Sequence, residues 1–583
     1  MKKKNTSSVL FKILVCTLFL IGFALRLYNQ RWDNGLQIHP DERAITMFAE
    51  KIHFFDQLDP DFFSYGSLPI YLLKALTQFF TWLIPTWFTV DAMYTIGRTL
   101  SVIFDMGTAY LLFVLVKKIS NKKIAVLSLF FYVMAFFPIQ NSHFYIVDVQ
   151  VTFYVTLLLT LLLRYIEKPT LKNALLVGIV HGLCLAVKIT PVIFVPFIIV
   201  ILLVNQLKKN LGIVKNAIRA FKPLYIYVGS IVLTYLICVP YSILNHTKYI
   251  HDMTEQLRLN SNPYEFPFTL QYVDTTPYIY YFKNIILWGA GPIIAIMAFL
   301  GICIALFHYR PHTLQKGISP FKSIQEFVRR HYIPVTIALF YAYYVLIIGR
   351  SAVKFMRYML PVYPFIALMA AIGFYYIFIA NIRKLKPIYA TSLATFAFIV
   401  LSGTVVWTAT FMSIYTQPLT RLTASYWINS SIPKNSVLTY EGWDDGLPLM
   451  GSELFQHEEL ALYGQPDDAA KWTLLHAQLA HSDYVILSSN RLYVPIQRLN
   501  DCTKYKNCFP IASIYYKKLL ANKLETREYK YKKIAEFAVY PTVPFSKLLF
   551  GKPIYIDDQS ADESFTVYDH PKVLIFKNIK KNL

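Results

Sequence analysis

The chain has 583 residues, of which 55% are hydrophobic and 16% aromatic, and a formal charge of +23. Its apolar runs reach about 17–25 residues, the length that crosses a bilayer core, which excludes an ordinary soluble protein. The charge does not point to nucleic acid: Lys and Arg sit in short loops between apolar runs, as the positive-inside rule requires, and not on one basic face.

The amino-terminal "MKKKNTSSVLFKILVCTLFLIGFALRLY" has an apolar run longer than a signal-peptide core and no small-residue cleavage site. It predicts a first span with a cytoplasmic basic end. "QIHPDERAI", 37–45, follows. Proline suits the first helical position, and acidic residues in the first turn suit the helix dipole. Ile45, Phe48, Ile52 and Phe55 recur at three- and four-residue spacing, so an amphipathic helix on the membrane surface is expected. His39, Asp41 and Glu42 either mark a helix start or carry chemistry, and this stretch alone leaves both open.

The run "GSLPIYLLKALTQFFTWLIPTWF", 66–88, contains Lys74 and two prolines and reads as an interfacial or re-entrant helix. Spans are expected at 94–116, 124–139, 150–163, 174–189, 191–206, 223–240, 282–307, 332–349, 358–380 and 388–412. With the first, that makes about eleven. This arrangement keeps the basic segments 117–123, 164–173, 208–222, 308–331 and 381–387 inside. The loops 29–93, 140–149, 241–281 and 350–357 and the tail 414–583 then share the outer face. The expected protein is an all-α multi-pass protein of the plasma (inner) membrane. Its membrane domain is 1–413, with a first outer loop at 29–93, followed by an extracytoplasmic soluble domain, 414–583.

The tail contains no spanning run. "SVLTY", "DYVILSS" and "KVLIFKN" read as strands, with helical "LTASYWINSS" and "DDAAKWTLLHAQLAH" between them, so an α/β or α+β fold is expected. Cys502 and Cys508 are candidates for a short-loop disulfide there; Cys16, Cys184, Cys238 and Cys303 lie in apolar runs as packing residues.

Asp148 stands at the mouth of a span beside His143, on the same face as Asp41. Two carboxylates from separate loops at one mouth suggest general acid–base work or a cation site. A divalent metal on His39, His143, Asp41 and Asp148 is a further option, although no close-spaced ligand motif supports it. Outer basic residues run against the positive-inside trend: Arg98, Lys188, and Arg350, Lys354 and Arg357 in "GRSAVKFMRYMLP". They are either snorkelling to lipid phosphates or form an anion site for a lipid-linked phosphate. Tyr272 and Asp274, in the aromatic loop 241–281, fit either an interfacial belt or a sugar site.

The order of "HPDE", "FFSYGSLPIYLL", an Arg-initiated span, "HFYIVDV", "QYVDTTPYIYYFKNIILWGAGP" and "KFMRYMLPVYPFIALMAA" resembles the GT-C class of membrane glycosyltransferases over about 1–410. It looks closest to the protein O-mannosyltransferase-like family 39 and the lipid A aminoarabinose transferases. The tail's "LTASYWINSSIPKNSVLTYEGWDDGLPL" and "VYDHPKVLIFKN" resemble a bacterial subgroup of phospholipid-carrier-dependent glycosyltransferases. The resemblance implies a GT-C fold and an inverting hexosyl or pentosyl transfer on the outer face, from a polyprenyl-phosphate sugar to a protein, lipid or glycan acceptor. It gives the base to Asp41, with Glu42 as substitute and His39 as neighbour, and matches Asp148 to a second acidic position. Arg98, Lys354 and Arg357 become candidates for the donor phosphate, and Tyr65 and His143 for substrate contact. One departure stands out: Ser67 in "YGSLP" replaces a lysine of the aminoarabinose transferases' "YGKPP". A transporter or flippase of lipid-linked sugars is the alternative, but the sequence shows no inverted internal repeat.

Overall fold

The computed structural model describes residues 2–87, 89–206, 213–308 and 331–581. Nearly all of the predicted basic segment 308–331, and part of 208–222, lie outside the described residues. The first ten helices are α1 (Lys2–Leu27), α2 (Pro40–Lys51), α3 (Leu68–Leu83), α4 (Val90–Ile119), α5 (Lys122–Met134), α6 (Phe136–Ser142), α7 (Val147–Glu167), α8 (Leu171–Val187), α9 (Phe194–Val204) and α10 (Ile213–Cys238). The helices Pro292–His308, Tyr332–Ile348, Tyr363–Phe374 and Pro387–Met412 follow. Among the described residues six helices are long and apolar enough to cross a membrane, or seven if the bent pair α5–α6 is one span; four shorter apolar helices accompany them.

The bend between α5 and α6 measures 57° and has a sequence cause. Pro138 has no N–H to donate to the Met134 carbonyl four residues back. Thr408 supplies the missing donor, its hydroxyl reaching Met134 O at 2.6 Å. The bend carries α6 and the loop after it into the interior, where every residue from Phe131 to Gln150 is buried.

The amphipathic helix forms as predicted at α2, with Ile45, Thr46 and Ala49 buried. It ends at Lys51, however, so Phe55 is not on its apolar face but fully exposed, at φ +79°. α3 has 16 residues and buries Ile70, Leu73 and Thr77. The expected single span 282–307 is also broken. A π-turn, Ile285–Gly289, precedes Pro292–His308, and Gly291 between them has φ +82°.

The tail carries a five-stranded sheet in the order β2-β1-β3-β5-β4. Its strands are β1 (Val437–Glu441), β2 (Gln456–Leu460), β3 (Tyr484–Leu487), β4 (Tyr531–Phe537) and β5 (Val573–Asn578). β1 pairs in parallel with β2 and β3, whereas β5 runs antiparallel to β3 and β4. Cys502 and Cys508 form a disulfide. The stretch before β5 returns to the bundle: Phe565, Val567 and Tyr568 are buried in the same core as the membrane helices. Behind them His570 lies between Asp569 and Asp558, at 2.5 and 2.8 Å. Asp569 also accepts from Gln140 of α6 and from Tyr415, at 3.0 and 2.7 Å.

Candidate active site

Three chain segments meet at one end of the bundle: the start of α2, the start of α7, and the strap before Tyr363–Phe374. Successive helical residues point about 100° apart. Asp41 and Glu42 in the first turn of α2 therefore face different surroundings. Asp41 faces the junction and keeps a 17% exposed side chain. Arg357 Nη2 of the strap lies 2.8 Å from Asp41 Oδ2, and its Nε lies 3.6 Å from Asp148 Oδ2. Asp148 Oδ1 in turn accepts from Lys188 Nζ at 2.8 Å. Lys188 sits over the Tyr358 ring, 4.4 Å from its centroid.

Tyr65 completes this row by hydrogen-bonding to Asp41. Its position depends on Gly66, whose N–H donates to Val187 O at 3.0 Å. A Cβ on Gly66 would fall 1.8 Å from the Ala186 carbonyl, so only glycine lets the loop dock on the end of α8 beside Lys188.

Burial raises the Asp41 pKa, but Arg357 opposes this, with His39, Tyr65 and Lys188 adding to its effect. The net result is a carboxyl held below its ordinary value. Asp41 is thus an ionised acceptor at neutral pH. His39 lies buried between Phe144 and Tyr568, with ring centroids 4.7 and 3.9 Å away. Burial pushes its pKa down to about 3, so the ring is neutral. His39 Nδ1 and Arg357 Nε and Nη1 are buried without a hydrogen-bond partner among the described residues. They belong to residues lining a cavity of about 10 Å³ with Gln140, Asn141 and Tyr568, room for about one water molecule. Unpaired buried donors of a guanidinium are unusual and suit an anionic or hydroxylic ligand.

Lys354 is buried three residues before Arg357. It donates to the Ala352 carbonyl at 3.0 Å, and among the described residues no carboxylate pairs with it. Burial holds its pKa below the ordinary lysine value.

Other sequence candidates lie elsewhere. Glu42 is fully buried, and its carboxylate takes both Arg98 Nε and Nη2 at 2.8 Å and the Tyr145 N–H at 3.1 Å. It has no free face for a substrate, which corrects its assignment as a substitute base. Arg98 spends its remaining N–H groups on Asp33, at 2.7 and 2.9 Å, and on the Gln30 carbonyl, so it braces α2 against α4 and does not face a phosphate. Both ring nitrogens of His143 lie 2.9 Å from backbone carbonyls, of Ile139 and Tyr28, and the ring stacks on Tyr415. The metal set of His39, His143, Asp41 and Asp148 is therefore not assembled. Tyr272 is buried with its hydroxyl on Asp562 at 3.2 Å, and Asp274 pairs with Lys504 at 2.5 Å, so both join the tail to the loop 241–281; the Tyr272 ring also packs edge-on against Phe355, over which Arg357 lies. Arg350 is exposed at the strap's start. Ser67 is buried and sits immediately before α3.

Tyr358 and Tyr568 also frame the site, and sequence reasoning did not find them. Tyr358 adjoins Arg357 in a motif already rich in charge, but Tyr568 lies over 500 residues from Asp41, and only the fold joins them.

Residues 76–243 match the family model described as dolichyl-phosphate-mannose-protein mannosyltransferase. That segment holds Arg98, Asp148 and Lys188 but not Asp41. No curated protein matches the chain in sequence. Among solved structures, the Archaeoglobus fulgidus oligosaccharyltransferase tethered with an acceptor peptide is similar over 98% of this chain and 88% of that one, at 11% identity and a TM-score of 0.50. ArnT from Cupriavidus metallidurans is similar over 98% of both chains at 11% identity, with a TM-score of 0.43 in the apo state and 0.44 bound to undecaprenyl phosphate.

Proposed function

This chain is a multi-pass membrane protein with the GT-C fold of membrane glycosyltransferases, and we propose that it is an inverting glycosyltransferase. It moves a sugar from a polyprenyl-phosphate donor to an acceptor hydroxyl on the outer face of the membrane, with Asp41 as general base. The observation that carries this reading is Arg357 between Asp41 and Asp148, with its buried Nη1 left without a partner among the described residues.

The chemistry needs three things: a base for the acceptor hydroxyl, cations for the departing phosphate, and alignment of the two. The acceptor oxygen attacks the anomeric carbon and gives its proton to Asp41. The bond from that carbon to the phosphate oxygen breaks, and polyprenyl phosphate leaves with the electron pair. Arg357 Nη1 is free to take that developing charge, and among the described residues no carboxylate neutralises Lys354. Asp148 and Lys188 hold the other side of Arg357 and fix the fork's orientation. The outer-face placement rests on the distribution of basic loops. The lipid-phosphate donor rests on the family-model match and on these cations.

The test is to incubate the purified protein in nanodiscs with radiolabelled polyprenyl-phosphate hexoses and membrane extract, then fractionate the product. Label moved to an extractable lipid, glycan or protein supports the reading. Donor that stays intact with every hexose offered sinks it.

A further inference from the structure

The tail's sheet has a topological switch point. From β1 the chain moves to β2 on one side, then crosses to β3 on the other. All three strands are parallel, so a crevice opens at the carboxyl ends of β1 and β3, where open α/β sheets bind ligands. Here the crevice has a volume of about 250 Å³ and is lined by the loop after β1, with Trp443, Asp444 and Asp445, and by Arg491 after β3. Its opposite wall is the start of α2: Pro40 and Arg43, which flank Asp41 in sequence, line it together with Tyr568, whose ring lies tilted against His39; Asp41 itself faces Arg357.

The crevice is rich in charge, yet every charge is matched. Arg421 pairs with Asp444 at 2.5 Å, Arg43 with Asp445 at 3.1 Å and Arg491 with Glu563 at 2.6 Å. The first and last pairs are buried and fixed. The Arg43–Asp445 pair is open to solvent, at 44% and 28% exposure. Beside it Trp443 is 54% exposed; its ring rests edge-on against Phe266 and Phe268 and leaves a large aromatic surface open. A charged ligand would have to break one of these pairs. A neutral ligand with vicinal hydroxyls would not: it can donate to Asp445, accept from Arg43 and lay an apolar ring face on Trp443.

We propose that this crevice is the acceptor subsite and that it takes an uncharged saccharide, held against the first turn of α2, the turn that carries Asp41. The proposal rests on the transferase reading for its purpose but not for its detection. Saturation-transfer NMR on the full chain in nanodiscs, with methyl α-mannoside, methyl β-glucoside and methyl β-galactoside as probes, reads binding directly. Wild type and Asp41→Asn should both transfer saturation to ring protons of at least one glycoside. Trp443→Ala should weaken that signal at least about fivefold, as expected for loss of an aromatic contact, and Trp443→Phe should restore part of it. Binding by wild type without any glycosyl transfer would count against the transferase reading and leave the subsite standing. No glycoside bound by wild type, an unchanged signal in Trp443→Ala, or equal binding of glucuronate or of an Ala-Ser-Ala amide would overturn the subsite.

Discussion

Arg357 reaches Asp41 at 2.8 Å while its Nε stands 3.6 Å from Asp148, so one guanidinium bridges two carboxylates separated by more than a hundred residues of sequence. The bridge makes Asp41 the ionised, partly exposed member of the acidic pair at the start of α2. Replacing Arg357 by Met removes both the orienting contact and the donors for phosphate. Transfer should fall by about 10²–10⁴-fold, the range for a lost electrostatic or acid–base partner. Arg357→Lys should recover little, because one ammonium cannot reproduce the fork. Steady-state transfer assays on both variants check this.

Glu42 and Asp41 are adjacent but should respond in opposite ways. Glu42→Gln leaves the Arg98–Asp33 pair balanced in charge but removes the carboxylate that takes two Arg98 N–H groups and the Tyr145 N–H, and should cost about 1–3 kcal/mol of stability. Asp41→Asn should leave the melting temperature nearly unchanged, since Arg357 keeps Asp148 as a neighbour. Thermal unfolding of the two proteins side by side separates the structural carboxylate from the functional one. A Glu42→Gln protein as stable as wild type would contradict the bracing role.

The kink of α5–α6 makes a local prediction. Thr408→Val removes the hydroxyl that serves the Met134 carbonyl and should cost about 1–3 kcal/mol, the penalty for a buried unsatisfied group. Pro138→Ala lets α6 donate to Met134 itself, so the double variant should lose less than Thr408→Val alone. Denaturation midpoints of the three variants test it.

His570 gives a pH dependence. Burial lowers its pKa, but Asp569 and Asp558 on either side more than reverse that, to about 10. A folded pKa above the ordinary 6.5 means the stabilisation is complete below that value and is lost as pH rises through about 10. The wild-type melting temperature should therefore fall between about pH 8 and 11 more steeply than that of His570→Gln. Parallel slopes would show that the imidazolium is not what ties the tail to α6.

Much of the framework was legible because hydrophobic run length and basic loops act locally. The predicted spans fall on apolar helices, and β1, β3 and β5 lie where their apolar stretches do. β2 and β4 escaped because they are edge strands, "QHEEL" and "YKKIAEF", with mostly exposed side chains and no clear alternation. The acidic pair shows the same limit at the site. Sequence put Asp41 and Glu42 together, but whether each faces a cleft or a buried arginine depends on α4 and the strap, far along the chain. Arg98 misled for the same reason: a basic residue at a helix start looks like an anion site until Asp33 and Glu42 are seen to fill its fork. Tyr568 and the crevice of the tail could not be read at all, since they arise from a segment returning across the whole molecule.

The most direct test of Asp41 as the base is single-turnover transfer from a radiolabelled polyprenyl-phosphate hexose, comparing wild type with Asp41→Asn in nanodiscs at matched donor binding. The variant should bind donor as wild type does and transfer sugar about 10²–10⁴-fold more slowly. Transfer at the wild-type rate by a folded Asp41→Asn protein would contradict that role.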